Sequence, residues 1–146
     1  VNYKRTLSSQ KKKIRSLRPR IIIVQLGGND LCIPNTRPEV FACELTGWMQ
    51  TLMVQHVHIK HVFICELFVR QITRGVNVQT YEKRRTIVNK MLKAFLDTEE
   101  NMTFWRHLRL MNSPLDVSDK DGVHLTTLGT KKFYRSLRLA LLHAVR

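Results

Sequence analysis

Acidic residues are scarce in this chain. Its 146 residues hold 11 Asp and Glu against 25 Lys and Arg, a formal charge of +14 at pH 7. Cysteine is also rare. Cys32, Cys43 and Cys65 are odd in number and widely spaced, which excludes a disulfide framework and fits small buried hydrophobes in a reducing compartment. No Cys-x-x-Cys occurs, so a cysteine zinc site is not expected. Apolar runs stay far below the roughly 18–20 residues of a membrane span, which excludes a transmembrane helix. An N-terminal secretory leader is not expected either, because Lys4 and Arg5 lead into more basic residues rather than an apolar core. In a fragment, that says nothing about the intact protein. With 6 Gly and 4 Pro there is no linker, repeat or low-complexity tract.

What is present is enough for one core. Hydrophobic residues make up 43% and aromatics 8%, too many for a disordered basic tail. The length allows a single domain, 1–146. Positive charge clusters at both ends. Lys4, Arg5, Lys11, Lys12, Lys13, Arg15, Arg18 and Arg20 face no acid in the first 20 residues. Lys131, Lys132, Arg135, Arg138 and Arg146 form the second set. Such runs are usually solvated helix faces, and they also suit nucleic acid, another polyanion or an acidic substrate. No aromatics interleave the N-terminal charges, so a single-strand stacking platform is not indicated.

The pattern predicts alternating helices and strands. Residues 1–18 form a basic segment, helical over 3–18, with thin apolar content (Tyr3, Leu7, Ile14, Leu17) and a stop at Arg18-Pro19. Ile21 to Leu26 is a continuous apolar run, as in a strand buried on both faces of a parallel sheet. Residues 38–57 carry Phe41, Leu45, Trp48, Met49, Leu52 and Met53 at helical spacing. A second strand is predicted over Ile59 to Phe68, a helix over 80–96, a third strand over Met102 to Leu110, and a last helix over about 127–145. That order predicts an α/β fold, a three-layer α/β/α sandwich with a parallel sheet of flavodoxin-like type. Ligands then bind beyond the carboxyl ends of the strands, at Gly27 to Cys32, Glu66 to Gly75, and Leu110 to Thr126.

Two of those segments hold chemistry. Leu26-Gly27-Gly28-Asn29-Asp30 leaves backbone N–H groups uncovered and puts an amide donor at a strand end, which suits an oxyanion. It also reads as a plain turn built from Gly, Asn and Asp. Asp121-Gly122-Val123-His124 places a carboxylate three residues before an imidazole, so Asp121 can hold one ring nitrogen while the other acts as general base. Taken singly, that pair equally fits a helix entry.

Together these motifs resemble blocks of the SGNH (GDSL-type) hydrolases. Leu26 to Asp30 resembles the Gly-x-Asn-Asp block, and Asp121 to His124 the Asp-x-x-His block ahead of the C-terminal helix. The phrases RPRIIIVQLGGNDLC, MTFWRHLRL and DGVHLTTLGTKKFYRSLRLALLHAVR are similar to SGNH-type esterase domains of invertebrate proteins, and the likeness runs from Leu17 to Arg146. The resemblance implies ester hydrolysis through an acyl-enzyme. Asn29 is then the oxyanion-hole donor, His124 the base and Asp121 its orienting carboxylate, with Gly27, Gly28 and Asp30 supporting. It implies no cofactor and no metal, and an ester substrate as partner.

The family's first block, Gly-Asp-Ser, has no counterpart here, and no glycine precedes Gly27. The nucleophile is therefore unknown, and the chain is expected to lack the first strands and to be an inactive fragment. A neighbouring strand is expected beside Ile21 to Leu26, whose unguarded edge is otherwise an aggregation liability. Ser8, Ser9 and Ser16 are expected on a helix at the amino end of that strand, and Ser113 and Ser118 in the His124 loop. His56, His58 and His61 lack acidic or cysteine partners and read as a polar turn rather than a zinc site. Cys32 shows no sign of an activated thiolate. Trp48 reads as core; Trp105 and His107 read as core or strand-surface residues, with the pocket edge as the alternative. The alternative to the enzyme is a non-catalytic basic module for nucleic acid or another polyanion.

Overall fold

The computed structural model describes residues 3–110 and 117–145. Its centre is β2 (His61–Cys65), whose Val62, Phe63, Ile64 and Cys65 are all buried. A strand covered on both faces needs apolar residues at consecutive positions, as this one has. It pairs in parallel with β1 (Ile21–Val24) on one side and β3 (Met102–Trp105) on the other, giving the order β1-β2-β3. The register sets Ile22 beside Val62 and Val62 beside Met102.

Alternation along the strands divides the core in two. Val24, Val62, Ile64 and Met102 join the cluster formed with α1 (Tyr3–Leu17), α2 (Pro38–Gln55) and α3 (Val78–Leu96). Phe63 and Trp105 turn to the other face, where both rings meet His143 of α4 (Thr127–Ala144). The starts of α2, α3 and α4 have local causes. Pro38 opens α2, where its missing N–H costs nothing. Asn77 Oδ1 accepts from Thr80 N at 2.7 Å ahead of α3, and Thr126 Oγ1 accepts from Gly129 N at 3.1 Å ahead of α4. The α1 helix ends where Arg18 takes a positive φ of 48° just before Pro19.

Several expectations need correction. The strands are shorter than their apolar runs: Gln25 and Leu26, Glu66 to Phe68, and 106–110 leave the ladder to form the rim. Cys43 is exposed rather than buried, because Phe41, Ala42 and Leu45 take the inward face of α2. In α4 the buried residues are Gly129, Ser136 and Ala140, while Leu141 is exposed. The α1 helix is not confined to the amino end of β1. Its first turn stands at the carboxyl rim, where Tyr3 N donates to Asp30 Oδ1 at 3.0 Å and the Tyr3 ring packs edge-on against Phe41. The expected loop residues Asn112, Ser113, Pro114 and Asp116 lie outside the described residues. Among the described residues β1 is an edge strand, although its run was expected to have a neighbouring strand on that side.

Candidate active site

The carboxyl rim of the sheet carries both motifs. The chain leaves β1 through Gly27, whose φ is +117°. A Cβ there would lie 2.5 Å from Phe41 Cζ, so only glycine lets the turn close against α2. The turn continues into a short 3₁₀ segment, Asp30–Cys32, preceded by Asn29. Asp30 is buried, and burial raises its carboxyl above the usual range despite the Tyr3 N–H it accepts. Its side chain thus ties the turn to α1 and does not face the cleft opening. Asn29 is exposed.

The second motif is folded by its own carboxylate. Asp121 Oδ1 accepts from Val123 N and His124 N, each at 2.9 Å. Asp121 Oδ2 accepts a hydrogen bond from His124 Nδ1. Chiefly the backbone N–H of His124, then its ring, hold the Asp121 carboxyl well below the usual carboxylate range. A carboxylate accepts only, so Nδ1 carries the proton in the neutral ring and Nε2 keeps a lone pair. Gly122 makes the turn possible with φ +67°; a Cβ there would lie 2.7 Å from Ile72 N. Asp119 N donates to His124 O at 2.8 Å, and the Ser118–Leu125 bridge closes the loop onto the start of α4.

Asn29, Asp121 and His124 line one open cleft of about 870 Å³. Arg70, from the loop after β2, stands in its wall; the sequence marked the rim segment Glu66 to Gly75 but singled out no residue in it. Arg70 Nη2 donates to Asn29 Oδ1 at 2.8 Å, and Nη1 reaches Cys32 Sγ at 3.4 Å. Its guanidinium lies 5.5 Å from the Tyr81 ring centroid. A guanidinium only donates, so the Asn29 atom it meets is the carbonyl oxygen, and the amide Nδ2 is left to serve the cleft. Arg84 fixes the stretch after Asp30 by donating to the carbonyls of Leu31, Ile33 and Pro34.

His107 is buried, in keeping with its reading as a core residue, but its partners had no signal in the sequence. It is 2% exposed and spans three elements of the rim. Its Nε2 meets Gln25 Oε1 at 2.9 Å, its Nδ1 meets Ser136 Oγ at 2.8 Å, and its N–H donates to Glu66 Oε1 at 2.7 Å. Gln25 Nε2 donates to Glu66 O, so Oε1 accepts from the His107 ring. Burial pushes that imidazole down to about 4. His107 therefore stays neutral and ties the exits of β1, β2 and β3 to α4.

Among the described residues no serine lines the cleft of His124. Ser8, Ser9 and Ser16 are exposed on α1, Ser118 sits in the bridge, and Ser136 is buried against His107 and Trp105. Cys32 does line it, but only 8% of the residue is exposed and its thiol lies 3.4 Å from Gly28 O. Among the described residues no group of three or more His, Cys, Asp or Glu could hold a metal ion. No helix among them is long and apolar enough to cross a membrane.

No protein-family model and no curated sequence matches the chain. Solved structures do. A Bacteroides fragilis protein described as an acylhydrolase superposes with a TM-score of 0.74 at 20% identity, over 100% of this chain and 72% of that one. A family 3 carbohydrate esterase of Clostridium thermocellum gives 0.73 at 14% identity, over 99% and 68%. An acetyl-xylooligosaccharide esterase variant from Geobacillus gives 0.60 at 14% identity, over 91% and 64%. With its parallel sheet and its helices on both faces, the chain has the SGNH hydrolase-like α/β fold.

Proposed function

We propose that this chain carries the base and oxyanion side of an ester hydrolase site. One observation carries the reading: a His124–Asp121 pair opens, together with the Asn29 amide, onto one cleft at the carboxyl rim. In the proposed reaction a serine Oγ attacks the ester carbonyl while His124 Nε2 takes its proton. Asn29 Nδ2 donates to the resulting oxyanion. Collapse expels the alcohol, which leaves with the proton from His124. Water then attacks the acyl-serine with the same base, releasing the carboxylic acid and regenerating serine. The serine comes from outside the described residues, and the unpaired edge of β1 is where its strand would dock. On this reading the chain alone is inactive or nearly so, since losing a nucleophile leaves only residual catalysis.

The test is hydrolysis of 4-nitrophenyl acetate by this chain and by one extended upstream, each with and without His124→Ala. Turnover confined to the extended protein and lost with His124 supports the reading. Robust His124-dependent turnover by the short chain would refute the missing nucleophile. An inert but folded extended protein would favour the second reading, a basic module for polyanions. That reading rests on a groove of about 690 Å³ between β3 and α4, which Arg106, Arg109, Lys132 and Arg135 line with no acidic residue among the described residues.

A further inference from the structure

The cleft holds more positive charge than its own groups need. Arg70 is only partly exposed, yet among the described residues it makes no ion pair; its partners are an amide oxygen, a thiol and a ring face. Arg74 lines the same cleft, and it too has no carboxylate partner among those residues. The single acid in the wall among the described residues, Asp121, has both oxygens committed to His124 and Val123. A half-buried guanidinium without a counter-ion is costly, and the cost is recovered when an anion enters. Low-dielectric walls also focus its field into the opening.

We propose that the cleft selects esters that bear an anionic group of their own, such as a carboxylate, held by Arg70 and Arg74. This rests on the hydrolase reading for the role of Asn29. Arg70 spends one N–H on Asn29, whose Nδ2 is the donor for the acyl oxygen. Another N–H reaches Cys32 Sγ, and the remaining N–H groups of the same guanidinium stand beside that donor. A planar fork suits a carboxylate in two-point contact, and Arg74 adds a second charge from the flanking loop.

The test compares succinate with butyrate, which has the same chain length and one charge fewer. Both are titrated into the protein at 0.15 M ionic strength, and the His124 ring and Arg70 Nε–H signals are followed by NMR. Succinate is expected to bind about tenfold tighter, one more charged contact. Arg74→Gln should remove most of that preference. Arg135→Gln removes the same net charge from a different groove and should leave it intact. Equal affinity for the two acids, binding of neither, or a preference untouched by Arg74→Gln overturns the proposal. A preference for succinate in a protein that hydrolyses no ester supports the anion site and removes the hydrolase reading. Turnover without the preference does the reverse.

Discussion

Replacing His107 by Gln should flatten the acid sensitivity of the fold. The imidazole is buried among Gln25, Ser136 and Phe133 without a carboxylate against its ring nitrogens, and burial lowers it from 6.5 to about 4. Between those values the unfolded chain binds a proton that the folded chain refuses, so stability is complete above pH 6.5 and drains away as pH falls toward 4. The gap is worth about 3 kcal/mol below both values and about 2 kcal/mol at pH 5. His61, also lowered by burial, adds loss of the same sign, whereas Asp30, raised by burial, opposes it. Both remain in the variant, so the difference isolates His107. Urea unfolding at pH 7 and pH 5 is the assay. With a slope of roughly 2 kcal/mol per molar, the wild-type midpoint should fall about 1 M further than that of His107→Gln. Equal falls would show that His107 is not a neutral, buried tie, and the account of the rim would fail with it.

Two further outcomes follow from the rim. Gly122→Ala forces a left-handed φ and a Cβ against Ile72 N, and should cost about 1–3 kcal/mol in thermal unfolding; an unchanged midpoint would show the turn to be adaptable. Tyr3→Ala removes the buried ring against Phe41 and its hydrogen bond to Glu44. Amide exchange at Lys11 to Arg15 should then accelerate far more than at Ile21 to Val24, and equal acceleration would contradict a helix held mainly by its first turn.

Periodicity made the scaffold legible. The β-branched run at Ile21 and the stripe from Phe41 to Leu52 each have one low-energy use, so strands and helices fell within a few residues of expectation. Motif spacing made Asp121 and His124 legible too, because a carboxylate three residues before a histidine closes its own turn. The contacts of Arg70 and His107 were not legible. Each acts through partners distant in sequence, Arg70 on Asn29 and Tyr81, His107 on Gln25 and Ser136, and no local pattern encodes such contacts. The exposure of Cys43 was missed for a related reason: an apolar neighbourhood does not say which side of a helix faces water.

The central claim is that Asp121 holds His124 with Nδ1 protonated, so that Nε2 is the base in the cleft. Long-range ¹H–¹⁵N NMR of the histidine rings, with the ring neutral, tests this directly. The account predicts that His124 is the Nδ1–H tautomer, with a strongly downfield Nδ1 proton that disappears in Asp121→Asn while the backbone spectrum is retained. A dominant Nε2–H tautomer, or a ring indifferent to Asp121→Asn, would contradict it.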